Sequence, residues 1–117
     1  MNGQFVELTD GSRIEAKMNF GTLYYLQQIG GYQLARKIEK KQKNKKHISE
    51  SESMEFAAKI IYAILRSNGR EVTFDEAISL MPPDTKSIEK VIEVYEQELN
   101  KRKKKQESKH TMKKFTT

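Results

Sequence analysis

The residues of this 117-residue chain with some claim to chemistry are two histidines, five tyrosines, two close pairs of carboxylates and a Gly-Gly step. Imidazoles ligate metals or shuttle protons. His47 and His110 lie far apart in charged stretches, and there is no cysteine to join them in a metal site or to form a disulfide. Asp75/Glu76 and Glu96/Glu98 would serve as acid and base only where a dry pocket separated their pKa values. Nothing around them supplies such a pocket, so they read as solvated helix surface. Gly30-Gly31 lacks the spaced glycines and the following lysine of a phosphate loop. Tyr24, Tyr25, Tyr32, Tyr62 and Tyr95 all lie in or beside apolar stripes, which favours packing over stacking on nucleobases. These observations predict a protein with no catalytic site, no cofactor and no metal.

Charge is the remaining feature. The formal net charge is +6, unevenly spread. Arg36 to Lys46 holds seven basic residues and one acid, and Lys101 to Thr117 holds eight and one. Residues 47–100 hold five basic and eleven acidic residues, so two basic runs are attached to an acidic body. Lysine runs can neutralise phosphates, and the Pro-Pro step between two helices is compatible with a helix-turn-helix. Against DNA reading, the second of those helices carries Glu89, Glu93 and Glu96 opposite its apolar stripe, a face that repels a phosphate-lined groove. The runs are also poor in arginine for bidentate base readout. A nucleic-acid-associated phage or mobile-element protein, binding through its lysine-rich segments, is the alternative reading.

The elements follow from periodicity. Val6 and Leu8, then Ile14, Ala16 and Met18, alternate with polar residues around Asp10-Gly11. This predicts a hairpin over 4–18 with a tight turn in which both central residues take positive φ. Asn19 can cap a helix carrying Phe20, Leu23, Leu26 and Ile29, which Gly30-Gly31 should end. A second helix from Tyr32 should fade into the lysines, leaving about 40–52 as a mobile linker or frayed helix end. Ser49 with Glu52, and Thr73 with Glu76, have capping-box spacing. Phe56, Ala57, Ile60, Ile61, Ile64 and Leu65 make a stripe wide enough for a core helix stopped by Asn68-Gly69. Phe74, Ala77, Ile78 and Met81 form the next helix, ended by Pro82-Pro83. Asp84 or Thr85 opens a last helix with Ile88, Val91, Ile92, Tyr95 and Leu99 as its stripe. The fold class is therefore α+β, mostly α. An N-terminal β-hairpin is followed by four to five helices in a single domain over 1–100, and 101–117 forms a disordered basic tail. No apolar run approaches the roughly 20 residues that span a bilayer. The N-terminus has no basic and apolar leader pattern, which predicts a cytoplasmic protein.

The order of elements resembles a known family. Met18-Asn19-Phe20-Gly21 after the hairpin, Thr22-Leu23-Tyr24-Tyr25-Leu26, the helix Phe56 to Leu65 after a charged linker, and Val72-Thr73-Phe74-Asp75-Glu76-Ala77 before a last amphipathic helix carry the likeness. Over about residues 4–100 the chain resembles the small tail assembly chaperones of long-tailed phages and prophages of low-GC Gram-positive bacteria. The resemblance implies a non-enzymatic protein that binds the tape-measure protein and tail-tube subunits in the host cytoplasm and is absent from the finished virion. No membrane and no specific nucleic acid are expected as partners, with self-association as a further option. Many such proteins also occur as a longer frameshifted product, and Lys103-Lys104-Lys105 is compatible with a slippery run of codons. A chaperone of this kind needs exposed apolar surface or a groove. The candidate partner-binding residues are Phe20, Leu23, Tyr24, Tyr25, Leu26, Ile38, Ile61 and Leu65.

Overall fold

The structure, a computed structural model, describes the backbone of residues 4–116 and the side chains of residues 4–101. Two strands, β1 (Phe5–Glu7) and β2 (Arg13–Glu15), precede five helices: α1 (Phe20–Gln28), α2 (Gly31–Lys43), α3 (Glu50–Ser67), α4 (Phe74–Leu80) and α5 (Thr85–Thr116). The architecture is α+β and mostly helical, as the periodicities predict.

β1 and β2 pair antiparallel with Val6 opposite Ile14. The turn differs from the expected two-residue form. The Leu8 amide donates to the Ser12 carbonyl at 2.9 Å and the Gly11 amide to the Leu8 carbonyl at 3.1 Å, leaving a three-residue loop. Only Gly11 of the loop takes positive φ, at 86°. Asp10 uses its carboxylate instead, accepting from the Ser12 amide and hydroxyl at 2.9 and 2.6 Å. A turn of this kind, closed by a left-handed glycine, needs one such residue rather than two. Val6, Leu8, Ile14, Ala16 and Met18 form the buried face of the hairpin. A two-stranded hairpin gains its stability from such docking.

The helices begin and end on local chemistry. Asn19 Oδ1 accepts from the Thr22 amide at 2.9 Å. Both predicted capping boxes form, Ser49 with Glu52 and Thr73 with Glu76. At the end of α3, Gly69 takes φ 88°. The Gly69 and Arg70 amides bond back to the Arg66 and Leu65 carbonyls at 3.1 and 3.0 Å, satisfying carbonyls the helix leaves free. Asp84 caps α5, accepting from the Ser87 amide at 3.1 Å and hydroxyl at 2.8 Å, and these bonds hold its pKa below the ordinary value.

The linker expected over about 40–52 is much shorter. α2 runs to Lys43, only residues 44–49 lie between helices, and Ser49 already caps α3. Lys41 explains the order, since its ammonium bonds both oxygens of Glu52 at 2.7 and 2.9 Å. Repulsion along the lysine run is offset by an acid that the linear sequence places on the next helix. α2 closes on Lys45 at φ 54°, a left-handed position with a non-glycine residue.

α3 is the core helix. Ala57, Ile61, Ala63, Ile64 and Leu65 are fully enclosed, and α1, α2, α4, α5 and β2 all pack around it. From α5 come Ile88, Val91, Tyr95 and also Val94, which the predicted stripe omits. Tyr95 meets Phe56 edge-on with ring centroids 5.2 Å apart. α5 continues as helix to Thr116, well past Leu99. This departs from the disordered tail expected over 101–117, and the side chains beyond Lys101 lie outside the described residues. Among the described residues no helix is long and apolar enough to cross a membrane.

Candidate protein-docking groove

Of the eight residues nominated from sequence, the structure buries four. Leu26, Ile38, Ile61 and Leu65 are core side chains. They sit on the inward faces of α1, α2 and α3, so they offer a partner no surface, and their nomination is corrected to a packing role. Leu23 and Tyr25 are half-buried against the core, with the Arg66 guanidinium over the Tyr25 ring at 5.0 Å. Only Phe20, 78% exposed, and Tyr24, 49% exposed, stand out into solvent. They lie one helical turn apart on α1, and Tyr24 Oη accepts from Gln28 Nε2 at 2.8 Å. They form an aromatic ridge without a cleft.

The concave apolar surface lies elsewhere. α3, α4 and the start of α5 diverge around a groove of about 380 Å³. Ala58 and Ile88 form its buried floor. Phe74, Met81, Pro82 and Pro83 line its walls, and Met54 and Ile78 stand on its rim with nearly half their surface in solvent. Each wall has a local cause. The Thr73 capping box starts α4 so that Phe74 turns inward, edge-on to Tyr62 at 6.1 Å. The proline pair ends α4 and forces Met81 into extended geometry, opening the gap between α4 and α5. The hairpin loop fixes the far end, with the Thr9 amide and hydroxyl donating to the Leu80 and Ser79 carbonyls at 3.0 and 2.9 Å.

The lining is almost wholly aliphatic, aromatic and thioether, with Glu55 the one charged member. Such a surface holds apolar side chains by removing them from water, at about 1.5–3 kcal/mol for each one fully buried. Methionines on the rim let it adapt to its occupant. No protein-family model, curated protein or solved structure matches the chain.

Two other surfaces carry less. A smaller depression of about 210 Å³ between α2 and α5 contains Ile38, Tyr95, Glu39 and Glu96. Partial desolvation of its carboxyl in this depression, with Glu93 and Glu39 nearby, pushes Glu96 above its ordinary pKa, and burial also raises the Tyr95 hydroxyl. The outer face of α2 presents Arg36, Lys37, Lys40 and Lys43 to solvent. Glu89, Glu93 and Glu96 on α5 are exposed. His47 is exposed, and among the described residues no three His, Asp or Glu side chains gather as a metal site.

Sequence reasoning missed the groove because its residues come from five separated places: 54, 58, 74–78, 81–83 and 88. The available signal was Ile78, which the predicted stripe assigned wholly to the inner face although α4 is short and half of Ile78 remains exposed.

Proposed function

We propose that this protein is a non-enzymatic tail assembly chaperone. It acts in the host cytoplasm, holds a helical segment of the tape-measure protein together with tail-tube subunits during assembly, and is not retained in the virion. The observation that carries this reading is the apolar groove between α3, α4 and α5, a shape suited to one face of an amphipathic helix. The family resemblance over residues 4–100 supplies the identity of the partners. The exposed Phe20 and Tyr24 ridge is a second surface available to tube subunits.

The test is co-purification of the tagged chain with the long tape-measure protein and the tube protein encoded beside it, at low salt and at several-fold higher salt. Apolar burial resists salt, so capture should persist. Failure to hold either tail protein, with tight duplex-DNA binding that falls steeply with salt, would sink the reading. It would promote binding to nucleic acid through the basic face of α2.

A further inference from the structure

The charges around the groove select its occupant. Residues 50–58 and 71–84, which supply the α3 and α4 walls, contain seven acids and no lysine or arginine. Glu52 is taken up by Lys41, and Glu76 by its own helix cap. Asp84 caps α5, and Glu50, Glu55, Glu71 and Asp75 remain exposed. Asp75 lies between the groove residues Phe74 and Ile78 in sequence, and Glu55 lines the groove, paired with Lys59 at 2.9 Å. The nearest lysines of α5, Lys86 and Lys90, line a separate depression against β1 with Phe5 and Glu7. Arg36, Lys37, Lys40 and Lys43 of α2 line a different face. The groove is thus an apolar trough, with Glu55 at its lining, supplied by acid-rich segments in a protein of net positive charge.

We infer that the groove binds an amphipathic α-helix of a partner protein whose apolar anchors, at i, i+3 or i+4 and i+7, are flanked by lysine or arginine. This rests on the reading of the groove as a docking site and adds the sign of the partner's charge. Apolar anchors supply affinity by filling the space between Met54, Phe74, Ile78 and Met81. Basic flanks supply orientation and rejection of wrong helices, because like charges forced together across an interface are penalised. An acidic amphipathic helix of the same apolar face should be turned away.

The test uses two helical peptides of about 18 residues with one leucine face. One has lysine at the flanking positions and the other has glutamate. Their binding to the full chain is followed by fluorescence anisotropy at low salt. The lysine peptide should bind at least about tenfold tighter, and the gap should narrow as salt screens the charges. Ile78→Gln, at a half-exposed position the fold tolerates, should weaken binding by about tenfold. Gln27→Ala, exposed on α1 and part of neither surface, should leave it unchanged. Circular dichroism checks that both variants are folded.

Equal binding of the two peptides, no binding of either, or indifference to Ile78→Gln would overturn the inference. Self-association of the full chain that Ile78→Gln abolishes would make the occupant a second copy, and the inference would fall in that form too. Tape-measure capture that Ile78→Gln leaves intact would spare the chaperone reading and remove this one. Charge-selective binding in the groove without any tail-protein capture would do the reverse.

Discussion

Gly31 offers a perturbation whose sign depends on the tertiary structure. It opens α2 with negative φ, so alanine fits the backbone there. Helix propensity alone favours Gly31→Ala by up to about 1 kcal/mol. The structure opposes it. A Cβ on Gly31 would fall against the Leu26 side chain and 2.9 Å from the Leu26 carbonyl oxygen. Leu26 is 1% exposed and packed in the core, so it has no free volume to move into. Overpacking of this kind costs about 1–3 kcal/mol. Net of the propensity gain, Gly31→Ala should destabilise by about 1–2 kcal/mol. Urea unfolding at 25 °C would read this directly, and the Tm should fall by roughly 4–8 °C for each kcal/mol. Much of the penalty should vanish in a Leu26→Ala background, giving a coupling energy above about 0.5 kcal/mol. A stabilised Gly31→Ala protein, or strict additivity with Leu26→Ala, would show that α1 and α2 do not approach this closely.

Ile61→Ala should cost roughly 2–5 kcal/mol in the same assay, because the side chain is fully enclosed in α3. A loss below about half a kcal/mol would return Ile61 to the list of surface residues. Lys45→Gly should stabilise by about 1 kcal/mol by relieving a left-handed side-chain clash, and a loss of stability would place the end of α2 elsewhere. Glu52 should contribute acid sensitivity. The Lys41 hydrogen bonds, then the Ser49 amide, lower its pKa from 4.5 to about 2. Its contribution is therefore fully present above pH 4.5 and lost as pH falls toward about 2. The denaturation midpoints of the native protein and Glu52→Gln should converge across that window, and parallel profiles would refute the pairing. Glu96→Gln should raise stability slightly near neutral pH, since a carboxyl with a raised pKa is held there in its disfavoured charged form. A lower midpoint would contradict that.

The sequence by itself determined the features that depend on neighbours in the chain. Ser49 with Glu52, Thr73 with Glu76, Asn19, the Asn68-Gly69 stop and the Pro82-Pro83 break were legible because a cap or breaker acts within one turn. The core role of α3 was legible from the width of its stripe, and the hairpin from its alternation. Tertiary structure decided what depends on residues brought together from afar. Lys41 on Glu52 turned a predicted linker into the end of α2. Packing of α1, α2 and α3 about one core withdrew Leu26, Ile38, Ile61 and Leu65 from any surface, since a stripe shows that a face is apolar without showing what covers it. The same ambiguity hid the groove. Met54, Phe74, Ile78, Met81 and the two prolines belong to two helices and a bend, and only their divergence in space leaves an apolar trough open to solvent.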